Sequence, residues 1–466
     1  MPTCVNFDGR RVVIMGLGRF GGGIGVTRWL ARQGAKVVVT DQASAADLAD
    51  SVAALDGLEV TLRLGGHDEH DLHGADLLVV SPAVNKQTSA FFKTARARGV
   101  PWSSEMNLFL ERCPARVIGI TGSVGKSTTT AMIGEILTAS RKSKGWRHGR
   151  VWLGGNIGKS LLEDLPSMAN DDLVVLELSS FQLEDAAALK WSPHIALITN
   201  IRENHLDRHG TMQAYADAKA NIYRHQRPGG LLALPESGAT EHLGDDWTHR
   251  RPLYRYGVDA ARRSVWIDRL AAHGQERMVI PDVRLQVPGA HNLQNAAAAL
   301  TVATMVDADQ WAAADALAQF SGLAHRLEFV KEIDGVRYFN DSKATTSEAA
   351  MTALEAFDAP VIAIVGGSDK GTPFDSLGTA LARRAKAVVC VGATRQRIAE
   401  AIHKAGGLRG ESAPAIADSF DSAVQSARRL ATSGDVVVLA PGCASYDMFK
   451  NYEERGERFR QIVKAW

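Results

Sequence analysis
A chain of 466 residues is long enough for about three domains of ordinary size. Its 45% hydrophobic and 23% charged residues describe a soluble globular protein rather than a fibrous or disordered one. Lys and Arg total 53 against 52 acidic residues, so there is no broad basic field and nucleic acid is not expected as a partner.

The cysteines Cys4, Cys113, Cys390 and Cys443 lie far apart and form no CxxC, which favours a reducing compartment over a disulfide framework or zinc site. The first ten residues hold no apolar signal segment. The longest apolar stretch, 296–306, is about half of what a membrane span needs. A cytoplasmic enzyme without membrane insertion is the expected class.

The first unit, 1–105, alternates strands at 12–15, 37–40 and 77–80 with a helix over 24–33. That is a βαβ pattern with a parallel sheet. Gly16-x-Gly18-x-x-Gly21, followed twenty residues later by Asp41, matches the fingerprint of a dinucleotide site. A helix N-terminus accepts any diphosphate, so NAD and a UDP-sugar both fit. Ser81-Pro82 closes the third strand.

The second unit, 106–322, opens on Gly119-Ile-Thr-Gly-Ser-Val-Gly-Lys-Ser-Thr128, between an apolar strand and a helix. This is the layout of a phosphate-binding loop. Gly122, Ser123 and Gly125 let backbone N–H groups converge on phosphate, Lys126 reaches the terminal phosphates, and Ser127, followed by Thr128, ligates Mg²⁺. The general motif wants a glycine at 120, where Ile120 stands. Glu177 ends the strand at 173–176, the expected place for a metal-binding acid, and Ser179 and Gln182 follow it. His205-x-Asp207-x-His209 suits zinc by spacing, although Mg²⁺ with one histidine fits the phosphate loop better. A helix over 213–225 puts Tyr215, Lys219 and Tyr223 on one face. The basic segment 141–150 reads as a solvated loop or a phosphate-facing flap, and 259–282 as a surface hairpin or loop. Asn292 and Asn295 open an alanine-rich helix, where they could bond a purine nucleoside or cap the helix.

The third unit, 323–466, repeats strand–glycine–helix at 361–367, 387–392 and 436–442. Arg326 and Lys343 are candidates for offsetting charge on a transferring phosphoryl group. Asn340-Asp341-Ser342-Lys343-Ala344-Thr345 and Gly442-Cys443-Ala444-Ser445-Tyr446-Asp447 follow strands and read as polar site loops or ordinary caps.

In this order the motifs resemble those of the Mur ligases, the ATP-dependent amide ligases of peptidoglycan synthesis. The resemblance covers nearly the whole chain. Gly154-Gly-Asn156-Ile-Gly158, the 177–183 segment, 340–345 and 443–456 are most similar to the D-glutamate-adding branch. It implies an α/β fold of three domains: Rossmann-like, P-loop ATPase-like and Rossmann-like. It implies ATP, Mg²⁺ (two ions), UDP-N-acetylmuramoyl-L-alanine and D-glutamate as ligands, and a monomer. By match, Gly18, Arg19, Phe20, Asp41 and Ser81 meet the uridine nucleotide. Asn156, Ser179, Gln182 and His205 meet the rest of that substrate. Lys126 and Ser127 hold the γ-phosphate and Mg²⁺, and Glu177, His205 and a carbamylated Lys219 complete the metal set. Asn292, Asn295, Arg326 and Asp341 fall at nucleotide positions. Arg208, Thr345, Lys370, Ser445 and Tyr446 fall at D-glutamate positions. Val124, Ala83 and Tyr446 depart from the family's usual residues. Another Mur-type or folylpolyglutamate-type ligase, an NAD-dependent dehydrogenase carrying a regulatory ATP site, and a noncatalytic nucleotide-switch protein are the competing readings; the 443–456 segment argues against the first, the lack of a hydride-transfer site against the second, and the metal acid, second histidine and distal lysines against the third.

Overall fold
The computed structural model describes residues 6–466, apart from 19–20, 158, 251, 273, 288, 370–372 and 409–412. Among the described residues the named strands form three sheets. The first comprises β1 (Arg11–Met15), β2 (Lys36–Asp41), β3 (Val60–Leu64), β4 (Leu77–Val80) and β5 (Trp102–Ser103), in the order β3-β2-β1-β4-β5 with all neighbours parallel. The second comprises β6 (Arg116–Thr121), β7 (Val151–Gly155), β8 (Leu173–Glu177), β9 (Ile195–Ile198), β10 (Leu231–Pro235), β11 (Leu253–Asp259), β12 (Ser264–Ala271) and β13 (Gly274–Ile280). Its order is β13-β12-β11-β10-β9-β6-β8-β7. The strands are parallel from β11 to β7, and β12 and β13 add an antiparallel hairpin, as 259–282 suggested. The third comprises β14 (Glu328–Ile333), β15 (Val336–Asn340), β16 (Val361–Val365), β17 (Ala385–Cys390), β18 (Ala415–Ile416) and β19 (Val436–Leu439), in the order β14-β15-β19-β16-β17-β18.

The continuous apolar runs follow from this topology. A parallel strand covered on both faces has no solvent side, so 173–176, 195–198, 361–365 and 436–439 are buried at every position. The first two sheets share one apolar core, from Phe7 and Trp29 through Leu162 and Leu176 to Leu253. Phe7 meets Trp29 edge to face at 5.5 Å, and the Arg112 guanidinium lies over both rings.

Contacts divide the chain into two compact units: Met1–Pro281 with Asn295–Ala314, and Asp282–Gln294 with Asp315–Trp466. The first holds the first two sheets and the second holds the third sheet. The division runs through the Ala290–Met305 helix, between Gln294 and Asn295. No helix among the described residues is long and apolar enough to cross a membrane.

The 141–150 segment is a loop, and the flap alternative is excluded. It begins after the C-terminus of the Lys126–Ser140 helix, about 22 Å from the phosphate loop at 1.5 Å per residue. There Gly149 N–H bonds the Asp171 carbonyl and Trp146 Nε1 bonds the Gly149 carbonyl.

Candidate active site
In an open parallel sheet, ligands settle where neighbouring strands send their connections in opposite directions, beyond the strand C-termini. In the first sheet that point lies between β1 and β4. A cavity of about 760 Å³ opens there, lined by Gly16, Gly18, Asp41, His67, Ser81 and Asn85 among others. Three of the residues expected at the uridine nucleotide are thus brought together. Gly16 has φ +97°, and a Cβ there would stand 2.8 Å from the Ser81 Cβ. Asp41 Oδ2 accepts the Gly18 N–H at 3.1 Å, so the acid braces the glycine turn itself. The close-packing glycine is Gly23 rather than Gly21: a Cβ on Gly23 would lie 2.1 Å from the Leu17 carbonyl, while Gly21 has open space. Arg19 and Phe20 lie outside the described residues.

In the second sheet the turning point lies at β6, with β8 on one side and β9 on the other. The phosphate loop leaves β6 there and ends at Gly125, the left-handed N-cap of the Lys126–Ser140 helix. Ser127 and Thr128 sit in its first turn, where free N–H groups and the helix dipole favour an anion. Ile120 is a buried residue of β6, which explains why no glycine is needed at that position. The glycine the loop does need is Gly122, at φ +150°, where a Cβ would stand 1.9 Å from Thr199 Oγ1. Gly122→Ala is therefore expected to cost about 2 kcal/mol or more and to abolish ATP binding, measured by urea unfolding and ATP titration.

Supports from β9 and beyond were not visible in the motif. Ser123 Oγ meets Arg202 and, at 3.0 Å, the Tyr215 hydroxyl. Asn200 Oδ1 accepts the Val124 N–H at 3.1 Å, and Thr199 Oγ1 and Asn200 Nδ2 donate to the Val124 carbonyl. Asn295 Oδ1 accepts from Thr129 Oγ1 at 3.3 Å, beside Gly125. Asn292 lies inside the same helix rather than capping it, its N–H bonded to the Gly289 carbonyl.

Two lysines converge on one carbonyl. Lys126 Nζ donates to the Gly122 and Ser123 carbonyls at 2.9 and 3.0 Å, and Lys219 Nζ donates to the Gly122 carbonyl at 2.9 Å. Lys219 is 1% exposed, and its amine lies 4.5 Å from the centre of the Tyr215 ring. Burial, then the neighbouring Lys126 charge, push its pKa well below the ordinary lysine value, with Glu177 opposing. Glu177 is itself 2% exposed at the end of β8. Asn156 Nδ2 donates to its Oε1 at 3.1 Å, while Oε2 is buried and accepts no hydrogen bond among the described residues. An orphaned carboxylate oxygen beside a phosphate loop suits a hard cation.

The histidines part company. His205, at φ +54°, keeps its imidazole below the ordinary value through desolvation, then Lys219. His209 instead stacks on Phe181 at 5.1 Å, with its ring nitrogens on Ser180 Oγ and Glu184. No group of three His, Cys, Asp or Glu placed to hold a metal occurs among the described residues, and both His209 ring nitrogens are already engaged. Arg208 lies 4.1 Å over the Phe181 ring and donates to the Ala83 and Val84 carbonyls. Ser179 and Gln182 form a reciprocal capping box at the start of the Ser180–Ala187 helix, a structural task that sequence reading left out.

The second unit gathers its own cluster. Asp341 is 7% exposed and raised to about 6 by burial, against the Leu327 N–H, Arg326 and Lys343. Arg326 also faces His291, which burial and then that charge hold low. Lys343 Nζ lies 5.9 Å from the Tyr452 ring centre. Thr345 is half-buried, Ser445 is buried and Tyr446 is exposed. Lys370 lies outside the described residues.

Three sequence profiles match in chain order: the Mur ligase MurD-like N-terminal domain at 10–103, the Mur ligase middle domain at 120–303, and the Mur ligase glutamate ligase domain at 325–443. The chain belongs to the Mur ligase family. The UDP-N-acetylmuramoylalanine–D-glutamate ligase of Roseiflexus sp. (strain RS-1) is 41% identical over 98% of this chain and 99% of its own. That of Symbiobacterium thermophilum is 38% identical over 98% of both. Among solved structures, the UDP-N-acetylmuramate–alanine ligase of Thermotoga maritima aligns over 98% of this chain and 99% of its own, with TM-score 0.57 and 20% identity. E. coli FolC, solved with ADP, aligns over 76% of this chain and 90% of its own, with TM-score 0.50 and 20% identity.

Two departures from the usual Mur ligase residues contribute backbone groups here. The Mur ligase loop uses Val124 through its backbone N–H and carbonyl, and the side chain is 52% exposed. Ala83 likewise contributes its carbonyl, to Arg208.

Proposed function
We propose that this Mur ligase joins D-glutamate to UDP-N-acetylmuramoyl-L-alanine at the expense of ATP, through an acyl phosphate. The carrying observation is the pair of relatives of that name, which match over nearly the whole of both chains at 38 and 41% identity. In this reading 1–105 takes the uridine nucleotide, 106–322 takes ATP, and 323–466 takes the amino acid. The 760 Å³ cavity of the first sheet is of a size and chemistry to suit the uridine nucleotide.

A carboxylate is a poor electrophile, so it first attacks the γ-phosphorus of ATP and releases ADP. Lys126, at the mouth of the loop, offsets charge on the phosphoryl oxygens, and the N–H groups of the first helical turn hold the phosphates. Arg326 and Lys343 are the other cations we assign to phosphoryl charge. The amine of D-glutamate then attacks the acyl carbon, a proton leaves the nitrogen, and the tetrahedral adduct expels phosphate. Exclusion of water guards the acyl phosphate from hydrolysis.

Ser127, Glu177, His205 and Lys219 are the residues that would hold Mg²⁺, and the orphaned Glu177 Oε2 supports that fit. Mg²⁺ bound there would neutralise charge on the β- and γ-phosphates. Lys219 supports a further assignment. Burial makes this amine easier to deprotonate than an ordinary lysine, and a deprotonated amine adds to CO₂ and loses a proton to give an anionic carbamate. That carbamate would supply a second carboxylate-like ligand.

The acyl phosphate is tested with substrate carrying ¹⁸O in its carboxylate. One labelled oxygen is expected in the released phosphate. Release of unlabelled phosphate would contradict activation of the carboxylate.

A further inference from the structure
Arg455 lies in the first turn of the Tyr452–Lys464 helix and is 1% exposed. Its Nε donates to Ser342 Oγ at 2.9 Å. Nη1 donates to the Cys443 and Ala444 carbonyls, both at 3.2 Å. Nη2 donates to the Ser342 carbonyl at 2.8 Å and to the Cys443 carbonyl at 3.1 Å. Five bonds use the five N–H donors of a guanidinium. No carboxylate accepts from it among the described residues; the charge is met by carbonyl dipoles and one hydroxyl. Burial lowers it only to about 10, so it remains protonated at neutral pH.

The acceptors belong to two loops. Ser342 follows β15 and Cys443–Ala444 follow β19, and these strands are parallel neighbours with Asn340 opposite Leu439. Both loops therefore leave the same sheet edge, one carrying Asp341, Lys343 and Thr345, the other Ser445 and Tyr446. The loop after β16 joins them: Ser368 N–H bonds the Ala444 carbonyl, and a Cβ on Gly367 would stand 2.2 Å from that oxygen. Asn340 Nδ2 bonds the Gly456 carbonyl and Ser342 Oγ bonds the Tyr452 carbonyl. The helix start is thus fixed to the loops by contacts besides those of Arg455.

A buried cation with no carboxylate bonded to it, only the charge of Asp447 nearby, is a costly way to fill space; an apolar side chain of similar volume would generally serve stability as well or better. What the planar fork adds is a set distance between two loops and a set orientation of their peptides. In a trans peptide the N–H points opposite to the carbonyl. With the Ala444 carbonyl turned to Arg455, the Ser445 N–H is turned away from it. Ser445 is 2% exposed, and its N–H makes no hydrogen bond among the described residues. Orphaned N–H groups at buried residues are rare, and one polarised by a cation behind its peptide suits an anionic oxygen.

We propose that Arg455 is the positioning residue of the amino-acid subsite: it locks the 340–345 and 442–446 loops together and presents the Ser445 N–H to a carboxylate of D-glutamate. This rests on the assignment of those loops to the amino acid under the proposed function.

The test is steady-state kinetics of Arg455→Lys, which keeps a cation but loses the fork. The KM for D-glutamate is expected to rise about tenfold or more, with the KM for the UDP-substrate within about twofold and the melting temperature little changed. An unchanged KM for D-glutamate, or a loss confined to kcat and active fraction, would overturn the positioning role. Arg455→Met, if it folds, is expected to raise that KM further. Thr345→Ala separates the two levels of inference. If it raises the D-glutamate KM and Arg455→Lys does not, the role of Arg455 fails; if neither moves it, the loop assignment itself fails.

Discussion

Lys126→Ala is expected to lower turnover by about 10³-fold or more without unfolding the protein, because the lost interaction belongs to the transition state. The Lys126 ammonium now rests on the Gly122 and Ser123 carbonyls, the rim of the loop that receives the phosphates. Its charge matters most as negative charge redistributes over the transferring phosphoryl group. Removing it leaves the loop glycines and the Asn200 and Thr199 braces in place, so the fold should survive. Lys126→Met, with similar bulk and no charge, should show the same loss. The check is single-turnover phosphate transfer beside a melting curve. A variant with wild-type turnover would remove this loop from the chemistry.

A second large effect is expected at Lys219, and it is coupled to the first. Activity should fall by about 10²-fold or more in Lys219→Ala. In the unmodified-sequence enzyme it should fall when CO₂ is stripped from the buffer and return on adding bicarbonate. Lys126 is one cause of the low Lys219 pKa, so Lys126→Met should leave Lys219 more basic and less ready to take CO₂. Intact-protein mass gives the occupancy directly, as the gain of one CO₂. The sign of the stability effect follows from the same shift. A lysine depressed in the folded state binds fewer protons than its unfolded counterpart between the two pKa values, so in CO₂-free buffer stability rises with pH up to the ordinary lysine range. Lys219→Met should remove that slope. Activity indifferent to CO₂, with no mass gain, would leave Lys219 as an amine holding the Gly122 carbonyl.

The features legible in the sequence are those that a few adjacent residues create. The phosphate loop, Glu177 at a strand end, and the Gly16–Asp41 turn announce themselves because strand, glycine and helix are contiguous. The Tyr215–Lys219–Tyr223 face follows from helical period alone, and all three are buried. What stayed hidden depends on contacts between distant segments. The Val124 backbone is held by Asn200 and Thr199, some 75 residues away. Lys219 meets Gly122 across 97 residues, and Arg455 meets Ser342 across 113. No local pattern encodes such pairings. Ser179 and Gln182 are a milder case, since a capping box is local but was overshadowed by the neighbouring Glu177.

The central claim is that this chain activates a carboxylate and gives it to D-glutamate rather than to another amine. It is tested most directly by phosphate release from ATP with UDP-N-acetylmuramoyl-L-alanine and a panel of amino acids. Release that requires D-glutamate, with little from L-glutamate or diaminopimelate, is the expected result. Equal release with every amino acid, or preference for another, would contradict it.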